Sequence, residues 1–351
     1  MLFYKFRKKS SRYLKYLLIL YKSRQVPVKE KIIYVDVSEI VINRYLYSFL
    51  KMLDISGYTV YLPGDPKIID VLSKTKGENK YASWLISDKI VKFGEPLEVN
   101  IIINASQLSN NYFSNVLPET SYHVPMSCYP GFYQNYQFLN QKTENKKRKN
   151  SAFMSGNIDP AYYNNIADSK YFSQPSRKQI ADYLAKQNYN FEVNSFDDLN
   201  AFIRGAKDRK VIIINTVEAF RIDLKTLPDI LQSFNFYIAM PGIVIPQSHN
   251  LIEAMACGCI PIIHNEYAEL MKPQLIHEKN AFVFEKLAEL NELIKEIFML
   301  PEDRINKMRE EVFKYYHNFL SPEAVVQTIE SDDFEKIYIQ AEHSSLRLLE
   351  N

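Results

Sequence analysis

Phe236 to Phe284 reads FYIAMPGIVIPQSHNLIEAMACGCIPIIHNEYAELMKPQLIHEKNAFVF, and this stretch decides the fold. Phe236–Met240 is apolar and stops at Pro241-Gly242, after which comes the loop Pro241–Gln247. Ser248 then stands where a helix can be capped, and Leu251, Ile252, Met255 and Ala256 recur at helical spacing. Gly258 ends that helix. Cys259–Ile263 is a short apolar run of the kind a buried parallel strand shows. The pattern is strand, loop, helix, strand. It puts an acid, Glu253, in the first turns of a helix behind the C-terminal end of a strand. Open α/β sheets bind ligands at that end, and the N–H groups of a helix start suit a phosphate.

The run SHNLIEAMACGCIPII, from Ser248 to Ile263, resembles the signature of nucleotide-sugar-dependent glycosyltransferases with two Rossmann-like domains, the GT-B architecture. The likeness is greatest to exostosin-type transferases, with Ser248, Leu251, Glu253, Ala254, Gly258, Cys259, Ile260 and Pro261 at matching positions. The resemblance implies that Glu253 holds the donor ribose. It implies that the preceding loop and the helix start, with Ser248, His249 and Asn250, hold the donor diphosphate. Two departures stand out. The family arginine falls at Asn250, and the glutamate that retaining GT-B enzymes often carry eight positions earlier is Ile245 here.

The rest of the chain fits an α/β protein of two doubly wound domains facing a cleft. At 351 residues the chain is long enough for two domains of ordinary size. Lys31–Val37, Tyr58–Leu62 and Val99–Asn104 read as strands, and Asn43–Ile55 as a helix between the first two. These define a first domain over 29–141. Residues 142–150 (KTENKKRKN) are polar and read as a linker. The pattern then restarts with a strand at Ser151–Met154, a helix from Ser176, a strand at Lys210–Asn215 and the signature unit, giving a second domain over 151–320. Residues 321–351 read as a helical segment that can cross back to the first domain. The aromatic stretch Tyr122–Tyr136 reads as a loop near the cleft.

The first 28 residues differ from the rest. They mix Lys and Arg with Leu, Tyr and Phe, and the uninterrupted apolar run Tyr16–Tyr21 is far short of the roughly 20 residues that span a bilayer. A basic amphipathic helix lying on an anionic membrane fits this composition, as does a helix packed on the body of the protein. The expected location is cytoplasmic, peripheral on the inner face of the cell membrane. A net charge of +2 gives no reason to expect a nucleic-acid partner. Cys128, Cys257 and Cys259 show no metal-ligand spacing and fit reduced buried thiols.

Glycosyl transfer needs the departing diphosphate stabilised and an acceptor hydroxyl guided. Enzymes of this architecture generally do so without an essential metal, and no D-x-D element stands at a strand end here, so no metal and no cofactor beyond the nucleotide-sugar donor (UDP-, GDP- or CMP-linked) is expected. Gly156 and Asn157, in the turn after the first strand of the second domain, permit close backbone approach to a ligand. Arg177 can replace the missing family arginine, and Asn280 stands in a loop before a strand that resembles a donor-side loop of related transferases. An inverting reaction needs a base from the first domain; Asp36 and Glu39 follow its first strand, and His123 is a further choice. The reading is a glycosyltransferase acting on a glycan or lipid-linked acceptor in cell-surface polysaccharide or glycolipid synthesis. A sugar-nucleotide epimerase of the same architecture and an inactive nucleotide-sugar-binding homologue are the alternatives.

Overall fold

The computed structural model describes residues 2–76, 79–139 and 147–350. The chain forms two compact units. Unit 1 comprises Met1–Gln134 with Pro322–Asn351, and unit 2 comprises Asn135–Ser321.

Unit 1 is built on four parallel strands, β1 (Lys31–Val35), β2 (Tyr58–Leu62), β3 (Val91–Phe93) and β4 (Ile101–Ile103), in the order β3-β2-β1-β4. The strand order reverses between β1 and β4. The helix Arg44–Ile55 connects β1 to β2 because Asn43 caps it, accepting from Tyr45 N at 2.9 Å and Leu46 N at 3.1 Å. Its Leu46, Phe49, Leu50 and Leu53 are buried, each stabilising by about 1.5–3 kcal/mol. Two short strands, β5 (Leu108–Ser109) and β6 (Ser121–His123), follow.

Unit 2 holds five parallel strands: β7 (Lys149–Gly156), β8 (Val211–Asn215), β9 (Phe234–Ala239), β10 (Ile260–His264) and β11 (Phe282–Phe284). Their order is β11-β10-β9-β7-β8. Counted within the unit this is 2-1-3-4-5, a doubly wound Rossmann-like sheet whose order reverses between β7 and β9. Every residue of β9 and β10 is buried, as expected of interior parallel strands. Gly258 turns the chain into β10 with φ +74°, and the Phe313 ring fills the space where its Cβ would lie.

The C-terminal segment belongs to unit 1 and is not only helical. After the helix Pro322–Ser331, β12 (Lys336–Tyr338) inserts between β5 and β6 as the middle strand of a second parallel sheet. Glu330 anchors it, accepting from Tyr58 OH at 2.6 Å and Lys31 Nζ at 2.7 Å.

Several sequence expectations are corrected here. Residues 142–146 of the expected linker lie outside the described residues, but Lys149 and Asn150 are already strand. Arg148 donates to the Phe234 and Cys257 carbonyls, and Lys149 Nζ to that of Lys207, so these cations of the expected linker are fastened to unit 2. Tyr122–Tyr136 is no open loop. It contains part of β6 and the helix Pro130–Gln134, and its Met126, Cys128, Phe132 and Tyr133 are core residues. The N-terminal segment is a helix, Leu2–Arg24, with Ile19 and Ser23 buried, and among the described residues no helix is long and apolar enough to cross a membrane.

Candidate functional site

Parallel sheets gather ligand-binding loops where the strand order reverses, at the C-terminal edge. In unit 2 that point lies between β7 and β9. Gly156 ends β7 with Asn157 next to it, and the loop Pro241–Gln247 with the helix His249–Ala256 follows β9. The sequence places both segments there, and the structure ties them together.

The tie is Arg177. It opens the helix Arg177–Ala185, which Ser176 and Gln179 close with a capping box. Its side chain is 3% exposed. Nε donates to Pro241 O at 2.6 Å, Nη1 to Asn157 O at 2.9 Å and Nη2 to Ser248 Oγ at 3.1 Å. The guanidinium also lies 3.9 Å from the Tyr163 ring centre. Arg177 is therefore first a clamp on the crevice backbone, and much of its donor capacity is spent on it. Ser248 takes the N-cap position, yet its hydroxyl serves Arg177 and makes no side-chain cap bond. Tyr267 holds the same residue, its OH accepting from Ser248 N at 2.6 Å and donating to Ser248 O at 2.9 Å.

Asn250, where the resembled family has arginine, donates from Nδ2 to Ser155 O at 2.9 Å and bolts the helix start to β7. Gly156 is part of the strand, and its bare Cα lets Arg177 and Asn250 pack closely against it. A Cβ there would stand 3.2 Å from both Arg177 Nη1 and Asn250 Nδ2 and 3.0 Å from Met154 Cε. The missing side chain at Gly156 thus makes room for Arg177 and Asn250 at the crevice.

Glu253 and His249 form a pair on the same helix face, Nδ1 to Oε1 2.9 Å. Glu253 is 3% exposed, whereas the His249 side chain is 34% exposed. A carboxylate so placed orients the imidazole. Below it, Tyr237 is fully buried, and burial pushes its hydroxyl far above the usual phenol range, with Glu253 adding to the effect. The site therefore offers a helix N-terminus, a half-open imidazole and a buried carboxylate at one crevice, a combination that favours an anionic ligand bearing hydroxyl groups.

Asn280 does not join them. It precedes β11, which runs parallel to β10, so it stands toward the opposite, N-terminal edge of the sheet. Its Oδ1 accepts from Ile276 N at 2.7 Å and shapes that turn.

In unit 1 the reversal lies between β1 and β4, and Asp36 sits there. Its N–H donates to Ile103 O at 2.8 Å, and its Oδ1 accepts from Ser38 N at 3.0 Å. Glu39 is exposed in the following turn. His123 is 9% exposed, stacked on Tyr338 at 4.6 Å and edge-on to Tyr112 at 5.1 Å. Sequence reasoning missed a polar group at the same edge. Glu342 pairs with Arg44 and accepts from Tyr45 OH at 2.5 Å, with its backbone at φ +45°. Non-glycine residues seldom hold that conformation outside constrained sites. The only sequence signal was the acid itself, 298 positions away in order from Arg44.

Among the described residues no three His, Cys, Asp or Glu side chains cluster as a metal-binding set.

No protein-family profile matches the chain, and no curated protein is similar to it. Among solved structures, Anabaena HepE in complex with UDP is similar over 85% of this chain and 98% of its own, at 12% identity and a TM-score of 0.44. A glycosyltransferase from Rickettsia africae is similar over 92% and 99%, at 12% identity and a TM-score of 0.38. WaaG, a glycosyltransferase involved in lipopolysaccharide biosynthesis, is similar over 86% and 100%, at 11% identity and a TM-score of 0.36. At such scores these likenesses carry no part of the functional argument.

Proposed function

We propose that the chain is a glycosyltransferase that takes its sugar from a nucleotide-sugar donor, UDP-, GDP- or CMP-linked, and passes it to a glycan or lipid-linked acceptor. The observation that carries this reading is the unit 2 crevice. A helix starting at Ser248 meets the end of β7, with His249 and Glu253 on one face. On this reading the diphosphate lies at the helix start and the ribose hydroxyls reach Glu253. The departing charge is met by helix N–H groups and by His249, so no metal is invoked. Unit 1 takes the acceptor, with Asp36 as the base and Glu39 as its alternate.

The N-terminal helix carries a membrane role in this reading. Tyr13, Leu14, Leu17, Leu18 and Tyr21 are exposed along it, and residues 1–24 hold eight Lys and Arg and no acid. Apolar and cationic groups together suit an anionic lipid surface and an acceptor used in cell-surface polysaccharide or glycolipid synthesis.

Thermal melts in UDP, GDP and CMP and their sugars test the donor side, because a ligand of the native state raises apparent stability. A rise with one of these families, and release of its nucleotide on adding acceptor, supports the transferase. Interconversion of two sugar nucleotides would identify an epimerase instead, and binding without turnover an inactive homologue.

A further inference from the structure

A groove of about 420 Å³ lies in unit 1 between the N-terminal helix and the helix Pro66–Leu72. That volume lies in the range of sites that hold small organic ligands. Tyr13, Tyr16 and Ile19 form one wall, and Pro66 and Ile69 the other. The polar lining is of mixed sign: Lys15 and Lys67, with Asp70 and Ser73. Lys15 Nζ donates to Ser73 O at 3.2 Å, and Tyr16 OH to Gly64 O at 3.2 Å, so the helix is fastened across the groove at both of these points. Tyr13, 63% exposed, belongs both to the groove and to the outward stripe of Leu14, Leu17, Leu18 and Tyr21.

We propose that this groove binds one anionic phospholipid, with an acyl chain against Tyr16, Ile19 and Ile69 and the phosphate on Lys67 and Lys15. The inference rests on the membrane reading above and adds a specific lipid site to it. Three observations carry it. The lining is mainly apolar, with Tyr13, Tyr16, Ile19, Pro66 and Ile69, which suits a hydrocarbon chain. The excess of cations over the whole helix selects an anionic headgroup over a zwitterionic one. The groove shares Tyr13 with the exposed stripe, so a lipid in the facing leaflet reaches it without leaving the interface.

The test uses the full-length protein with phosphatidylcholine vesicles made with and without phosphatidylglycerol. Flotation reports membrane binding; mass spectrometry of protein separated from the vesicles reports retained phospholipid. Wild type should float with the anionic vesicles and retain phosphatidylglycerol in preference to phosphatidylcholine. Ile69→Trp fills the groove, and Lys67→Glu, on an exposed residue, reverses the charge at its mouth without touching the core. Both should still float and retain at least tenfold less lipid. Leu17→Glu with Leu18→Glu should abolish flotation. If wild type floats yet retains no lipid, or if Lys67→Glu retains as much as wild type, the groove proposal is overturned and the membrane reading stands. If wild type does not float at all, both are wrong.

Discussion

His249 Nδ1 lies 2.9 Å from Glu253 Oε1, one helical turn apart, at the point where the unit 2 strand order reverses. The buried member is the acid, and the half-open member is the imidazole. Removing the imidazole strips a buried carboxylate of this contact. His249→Ala should therefore lower stability by about 2 kcal/mol. Adding Glu253→Gln to it should recover part of that loss, because the neutral amide costs less to leave buried. Urea unfolding of the two single variants and the double variant gives the coupling. Additive losses would show that the two residues act independently.

Arg177 should be the most sensitive residue of the crevice. Arg177→Ala leaves Pro241 O, Asn157 O and Ser248 Oγ without their buried donor, and about 3 kcal/mol or more should be lost. Arg177→Lys should not rescue it, since one ammonium cannot reach three acceptors set in a fork. Lys178→Ala, at the next position but exposed, should change stability by less than about 0.5 kcal/mol. Equal melting temperatures for Arg177→Ala and Lys178→Ala would remove the clamp role.

His264 sets an acid limit on unit 2. It is buried at the end of β10, with Nε2 3.0 Å from Glu285 O, and its Nδ1 is buried without a hydrogen-bond partner. Burial holds its pKa below the ordinary value. The unfolded chain then binds the proton more readily than the native state, so stability is full above the unfolded value of about 6.5 and falls as pH drops below it. The slope contributed by one such group is at most about 1.4 kcal/mol per pH unit. Urea midpoints on either side of that pH should differ for the wild type, and the difference should shrink in His264→Gln. A midpoint that rises on acidification would contradict this sign.

Much of unit 2 was legible because its signals are local. Gly258, the helical spacing of Leu251 to Ala256 and the apolar β9 and β10 are all within one stretch of chain. The helices Asn79–Ser87 and Phe196–Arg204 were not recognised, although Ser195 caps the second and its Leu199 and Phe202 share a buried face. The sheet of β5, β12 and β6 was invisible because its strands have two or three residues and pair across more than two hundred positions. Asn280 was misplaced for a related reason. Its neighbourhood in sequence resembles a donor loop, but only strand direction reveals which edge it occupies. The clamp of Arg177 joins residues up to 71 positions apart, and no spacing rule announces it.

Asp36 is the test of the acceptor side. Asp36→Asn should reduce transfer by about a hundredfold or more while donor affinity stays near normal, since the donor is assigned to unit 2. Glu39→Gln and Glu342→Gln belong in the same assay, the latter because Glu342 stands with Arg44 and Tyr45 at the same edge. Full turnover in Asp36→Asn would move the base elsewhere, and loss only in Glu342→Gln would place it there.

The most direct measurement is calorimetry of nucleotide binding to wild type and to Glu253→Gln, using whichever of UDP, GDP and CMP stabilises the protein most. Glutamine keeps the size of the side chain and a hydrogen bond to His249, so the fold should persist. A charge-assisted bond to the ribose contributes about 1.5–3 kcal/mol, so the dissociation constant should rise about tenfold or more. The same affinity in both proteins, or binding of no nucleotide to a folded wild type, would contradict the account.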